Sequence, residues 1–150
     1  MKTLILTAFA TSLTAFATTL TVGAATVTHA GIDAGAARTA FQQSGFPEIR
    51  ELEFEHGLWQ AEARNTQGRW IDVTLDARNG ELLWPAPAGA STLTDLQIRD
   101  ALGKAGFARV HALEFDEGVW SAEASAADGQ RYELVLHPRS AEVLDQQIED

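Results

Sequence analysis

The sequence contains the same stretch twice. Residues 38–83 recur 61 positions later as residues 99–144, with their landmarks in unbroken register, as in Trp59 and Trp120. Self-similarity of this kind indicates two copies of one small structural unit. We therefore expect a tandem pair rather than an enzyme built around a single site.

Each copy begins with a helical pattern and continues with alternating strand patterns. In the second copy, Thr94 and Gln97 are spaced as a capping box, and Gly106 is placed to end the helix. Apolar residues then recur at every second position, and glycine-containing turns separate the runs. These patterns predict the α+β class, with two tandem copies of one helix packed on a small antiparallel sheet of three or four strands.

The first 30 residues have the composition of a secretory signal peptide. Lys2 gives a positive start, and an uncharged apolar run follows from residue 3 to residue 23. An uncleaved membrane anchor is the alternative, because the run approaches the length that spans a bilayer. We predict cleavage, no stable membrane insertion afterwards, and a periplasmic or secreted mature protein. The predicted boundaries are a signal peptide at 1–30, a first copy at 31–84, a Pro/Ala/Gly linker at 85–91 and a second copy at 92–150.

Charge and cysteine content limit the classes of partner. The formal net charge is −10, so the surface repels phosphate backbones, and we expect no nucleic-acid partner. The chain has no cysteine, which excludes a disulfide framework, a thiol nucleophile and cysteine metal ligands. Each copy is near the size at which a domain is marginally stable alone, so we expect the two copies to support each other.

Several motifs occur in a characteristic order. In each copy the helix ends in Gly-Phe. The segments ELEFEHG (51–57) and W-x-A-E-A (59–63) follow in the first copy. The segment RYELVLHP (131–138) and a last hairpin ending in Glu-Val-Leu follow in the second. In these motifs the chain resembles the PepSY domain over nearly all of its mature length. The resemblance implies a helix packed on an antiparallel sheet, found in bacterial envelope proteins and in peptidase propeptides, with a role in binding and restraining peptidases. The tandem arrangement is also similar in architecture to secreted β-lactamase inhibitor proteins.

Two carboxylates of the first copy could instead form a catalytic site. Glu53 and Glu62 are expected on the same polar side of adjacent strands, and paired carboxylates can serve as acid and base. A solvated sheet face with Glu–Arg pairs explains them more simply. His56, His111 and His137 lack the spacing of a helical metal pair, which leaves only a metal site assembled between the copies as an alternative. We predict no enzymatic activity, no cofactor and no metal.

Positions that differ between the copies are the better candidates for a specific role. Trp70 falls on the polar phase of its strand, where the second copy has Arg131. It is interpreted either as the contact between the copies or as an anchor for an external partner. Trp84, beside the linker, is interpreted as covering it. The residues assigned to partner binding are Trp70, Glu62, Glu53, Trp84 and Arg131.

The sequence as a whole predicts an exported, non-enzymatic binding module that acts through a sheet face or edge. The expected partner is a protein or peptide, with a role as peptidase inhibitor or modulator. The alternative is an envelope sensor, or a small-ligand or metal-binding protein, that uses the cleft between the copies.

Overall fold

The computed structural model describes residues 31–149. Its elements follow one another as a helix and four strands, and then a helix and four strands again. The first half, residues 32–84, contains α1 (Ala34–Gln43), β1 (Glu48–Glu55), β2 (Leu58–Arg64), β3 (Trp70–Asp76) and β4 (Leu82–Trp84). The second half, residues 93–149, contains α2 (Asp95–Lys104), β5 (Phe107–Asp116), β6 (Val119–Ala126), β7 (Arg131–Leu136) and β8 (Val143–Ile148).

The predicted fold class is wrong. The described chain is mostly β, with 46% of residues in strands and 17% in helices, and its framework is two antiparallel four-stranded sheets. Each helix has only 10 residues, whereas β5 alone also has 10. The prediction failed because it treated the helix as the equal of the sheet, although most of the backbone hydrogen bonding lies between strands.

Both sheets are simple meanders, in the orders β1-β2-β3-β4 and β5-β6-β7-β8. Register shifts interrupt the β1–β2 ladder between Arg50 and Glu53 and the β5–β6 ladder between Val110 and Ala112. The apolar phase of the sequence predicts either a bulge here or a strand that begins just after Ile49, since Ile49 and Leu52 cannot share one face of a regular strand. The shift restores Leu52 to the apolar side.

Each half has its own buried core. In the first half, Ala37 and Phe41 of α1 are fully buried and pack in one cluster with Ala61, Ala63 and Leu75 of the sheet. The alanines of β2 leave room for the large Phe41 ring. The second half repeats this arrangement with Ile98, Leu102, Ala122, Ala124, Leu134 and Leu136. Strand residues therefore form most of each core, and each helix adds two side chains.

The helix ends are as the sequence predicts. The side chain of Asp33 accepts a hydrogen bond from the Ala36 backbone at the start of α1. Thr94 and Gln97 form a complete capping box at the start of α2. Gly106 follows this helix with φ of 101°, a conformation that glycine adopts without steric cost.

The signal-peptide prediction concerns residues 1–30, which lie outside the described residues. Within residues 31–149, neither helix combines the length and the hydropathy that a membrane-spanning segment requires.

Candidate functional site

The two halves meet through a small apolar cluster. Leu58, Leu83 and Val119 are buried together, and Val135 and Leu144 pack against them. The cluster draws residues from both sheets and joins them within one compact unit. A polar site near this contact is therefore built from both halves.

The contact is reciprocal. A Cβ atom placed on Gly57 would lie 2.7 Å from the carbonyl oxygen of Leu144, and one on Gly118 would lie 2.8 Å from that of Leu83. These pairs are related by the same shift of 61 positions that relates the two halves of the sequence. Residue i thus meets j while the counterpart of j meets the counterpart of i, as in a two-fold symmetric dimer.

Ion pairs follow the same rule. Arg78 Nη1 lies 2.6 Å from Glu142 Oε1, and Arg139 pairs in return with Glu81. Arg139 also donates to the carbonyl oxygen of Leu82 at 3.3 Å. The Arg139 guanidinium holds the pKa of Glu81 below its ordinary value. Two reciprocal Arg–Glu pairs therefore flank the apolar cluster.

Asp76, Glu81 and His137 bring ligand atoms within 4.8 Å of one another. However, His137 Nδ1 accepts the backbone N–H groups of Arg139 and Ser140 at 3.2 Å each, so the ring proton belongs on Nε2. Nε2 then donates to Glu81 Oε2 at 3.2 Å and has no lone pair to offer a metal.

The carboxylate of Asp76 is also engaged. Both of its oxygens accept hydrogen bonds from the Arg78 guanidinium, one of them at 2.6 Å. Burial raises the pKa of Asp76, but these bonds more than offset it, and the pKa lies below its ordinary value. This cluster therefore has the chemistry of a hydrogen-bonded link between the halves rather than that of a metal site.

The polar face of the first sheet carries a pocket of about 210 Å³, here called the first pocket. Glu117 reaches it from the other half and accepts from Gln60 Nε2 at 3.5 Å. Burial raises the pKa of Glu117, and the nearby charges of Asp116 and Asp72 raise it further. The lining residues are Glu51, Glu53, Gln60, Ala61, Glu62, Asp72, Val73, Thr74 and Glu117.

The second sheet carries the counterpart, a pocket of about 230 Å³, here called the second pocket. His56 enters it from the first half, just as Glu117 enters the first pocket. Asp145 and Gln147 of β8 close one side, where Gln147 Nε2 donates to Asp145 Oδ2 at 3.1 Å and lies 3.0 Å from His56 Nδ1. The matching positions in the first half, Trp84 and Ala86, do not line the first pocket.

Glu53 and Glu62, which were predicted to share a face, both line the first pocket. Glu62 forms an ion pair with Arg50 of the neighbouring strand, and Arg64 lies 3.3 Å from Glu48. These cross-strand pairs support the interpretation of a solvated sheet face.

Trp70 is 38% exposed, and its ring lies 4.2 Å from the Arg50 guanidinium. It lines a shallow cavity with Arg38, Gln42, Pro47, Glu48 and Ile49, all of them in the first half. Trp70 is therefore at a surface of one half, and the contact between the halves is made elsewhere.

Trp84 and Arg131 have separate places. Trp84 lies at the contact between the halves, since a Cβ on Gly118 would meet its Cβ at 2.6 Å. Arg131 Nη1 lies 3.4 Å from Glu149 Oε1 on the second sheet. The structure thus brings Trp70, Glu53 and Glu62 to the first sheet, and it leaves Arg131 apart from them.

The sequence interpretation missed the contributions of Asp72 and Glu117 to the first pocket. The strand alternation places Asp72 on the same polar face as Glu62, which was a usable signal. Glu117 carried no such signal, because it reaches the pocket from a turn of the other half.

Two small antiparallel sheets, each with a polar, open face, define the class of module that residues 31–149 form. The family model described as "Peptidase propeptide and YPEB domain" matches residues 1–84, and the chain belongs to this family. No curated protein and no solved structure gives a match.

Proposed function

We propose that the protein is an exported, non-enzymatic module that binds a protein or peptide through its first sheet. Its family includes peptidase propeptides by description, which makes a peptidase the first class of partner to test. In this proposal both halves are PepSY-type domains in tandem. The second half supports it with the same order of elements and the same strand connections.

The observation that carries the proposal is the position of Trp70. Large aromatic side chains dominate binding energy when a partner covers them. Trp70 is exposed on the polar phase of β3, and Arg131 at the matching position shows that the scaffold does not need an aromatic group there. The stacked Arg50 keeps the ring in place and adds a charged group beside it.

A second candidate is a sensor or small-ligand carrier that uses the cleft between the halves. Its support is that both pockets are lined by residues from both halves. Their open, polar walls fit a hydrophilic ligand better than an apolar one. The metal-binding form of this candidate has weaker support because of the hydrogen bonds around His137.

The proposal is tested by capture from a bacterial envelope extract with the purified protein, followed by measurement of affinity for the captured protein. Trp70→Ala should weaken that affinity by 2 kcal/mol or more, about thirtyfold, with little change in the denaturant midpoint. Arg131→Ala is the matched control at the equivalent strand position and should leave the affinity unchanged.

Two results would contradict the proposal. One is an affinity that Trp70→Ala and Arg131→Ala reduce equally. The other is a turnover activity of the purified protein that Glu62→Gln abolishes.

A further inference from the structure

The outer edges of the two sheets differ in length. β8 pairs with β7 from Leu136 down to Tyr132, which meets Ile148. β4 has only three residues and pairs only with Thr74 and Leu75 of β3. Within residues 31–149, the outer edge of β3 from Trp70 to Val73 therefore has no strand beside it. We call this segment the open edge.

The proline content explains the short fourth strand. Pro85 and Pro87 occupy the positions that correspond to Gln146 and Ile148 of β8. Their rings hold φ at about −65°, away from strand geometry, and the chain bends at Pro85 and turns at Ala88 and Gly89 instead of continuing beside β3. The chain leaves the sheet after Trp84.

The backbone groups at the open edge can be identified from the ladder. Asp76 N–H donates to the Glu81 carbonyl at 2.9 Å, so alternate residues before it, including Asp72 and Trp70, present their backbone groups on the same side. In the second half, the corresponding Arg131 carbonyl accepts from Glu149 N–H at 3.1 Å. Across the described chain, the matching groups of Asp72 and Trp70 have no backbone partner.

β8 shows which way an added side chain would point. Gln147 lies opposite Glu133 on β7 and lines the second pocket. Asp72 is the counterpart of Glu133, so the residue of an added strand opposite Asp72 would point into the first pocket.

The first pocket is strongly acidic. It contains Glu53, Asp72 and Glu117 in addition to Glu62, which Arg50 already pairs. A lysine or arginine entering from the open edge would meet these carboxylates. Two positions further along an antiparallel strand, the next side chain on this face would lie beside Trp70, where an apolar group packs best.

We propose that the open edge of β3 accepts an extended segment of a partner protein as an added antiparallel strand, with a basic side chain opposite Asp72 and an apolar side chain beside Trp70. Main-chain hydrogen bonds to Asp72 and Trp70 supply part of the affinity, and the first pocket supplies selectivity for the basic residue. This inference rests on the proposed function and specifies its binding surface.

The test uses the full chain and a labelled peptide with the sequence of residues 146–149 that carries Gln147→Lys and Glu149→Leu, because β4 already occupies the positions that correspond to residues 143–145. Fluorescence anisotropy should show saturable binding that weakens as salt is added. Replacing the peptide lysine by glutamate, or methylating its backbone nitrogen, should each weaken binding about tenfold or more.

Variants of the protein locate the peptide-binding site. Asp72→Lys should abolish peptide binding, whereas Glu133→Lys on β7, which β8 covers, should not affect it. Pro85→Gln combined with Pro87→Ile restores the residues of β8 and should block the peptide by extending β4, with no loss of stability. Equal affinity of the lysine and glutamate peptides would overturn the proposal. Binding that survives both Asp72→Lys and the double proline variant would overturn it as well.

The outcome is separable from that of the proposed function. If an envelope partner is captured and its binding depends on Trp70 but not on Asp72 or the two prolines, the open edge is not its site and only this inference fails. If the chain instead self-associates through this edge, with Asp72→Lys preventing it, the occupant is a second copy and the inference of a separate partner is wrong.

Discussion

The two halves have matching cores but differ where each one faces the other. Three pairs of unlike residues, His56 and Glu117, Trp84 and Asp145, and Asp76 and His137, lie at or beside the contact between the halves. In a reciprocal contact, when a residue of one half meets a residue of the other, its counterpart meets the counterpart of that partner. Divergence there makes the two sides of the contact unequal without disturbing either core.

The clearest result of this inequality is the pair of pockets. In the second pocket, β8 supplies Asp145 and Gln147, so the polar face is partly filled by the protein itself. In the first pocket, the shortened β4 leaves that side open. One scaffold thus covers the edge of β7 with β8 in one half and leaves the matching edge of β3 uncovered in the other.

The largest effect is expected at the glycine that allows the halves to approach. Gly118 has φ of 84°, and an added Cβ would lie within 3 Å of Trp84 and Leu83. Gly118→Ala should cost about 1–2 kcal/mol through backbone strain and a further ~1–3 kcal/mol through overlap. Chemical denaturation of the variant measures the sum.

Gly129→Ala is the matched control. Gly129 has φ of 89°, but nothing lies within 4 Å of its added Cβ. Only the backbone strain should therefore lower the free energy of unfolding of this variant. Equal losses of unfolding free energy in the two variants would show that the contact between the halves tolerates the extra atom.

An intermediate effect is expected for the ion pair of Glu81. Because Arg139 lowers the pKa of Glu81 in the folded protein, the pair stabilises the fold above the ordinary pKa of 4.5, and this stability is lost as the pH falls through the folded value. Glu81→Gln should lower stability by about 1–2 kcal/mol at pH 7 and flatten its dependence on pH below 4.5.

Glu48→Gln gives the comparison for Glu81. Glu48 pairs with Arg64 within one half on an exposed surface, so its loss should cost about 0–1 kcal/mol. If the two variants change thermal unfolding equally between pH 3 and pH 7, the Glu81 pair between the halves stabilises the fold no more than an exposed pair within one half.

The smallest effect is a gain of stability in the last hairpin of the second half. Ala141 has φ of 59°, where the first half has Gly80 with φ of 76°. Ala141→Gly should relieve the strain and raise the free energy of unfolding by about 0.5–1 kcal/mol, after the entropic cost of glycine. Ala127→Gly, at a turn alanine outside the left-handed region, should lower it instead; a loss of stability with Ala141→Gly would contradict this account.

Prediction from the sequence succeeded where a local rule applies. The capping box of Thr94, the helix stop at Gly106 and the interruption near Arg50 depend on residues that are neighbours in the chain. The balance of helix and sheet was wrong, because strand pairing recruits residues such as Val143–Ile148 that carry little alternation of their own. The function, the domain boundaries and the export of the chain stay predictions.

The sequence by itself determined the repeated order of elements, the turns and the polar phase that carries Trp70, Glu62 and Asp72. Only the tertiary structure decided that His56 meets Asp145, that Glu117 enters the first pocket and that the edge of β3 is open. The physical reason is distance along the chain. Periodicity and turn chemistry act over a few residues, whereas these contacts join residues that come together only when two finished sheets pack against each other.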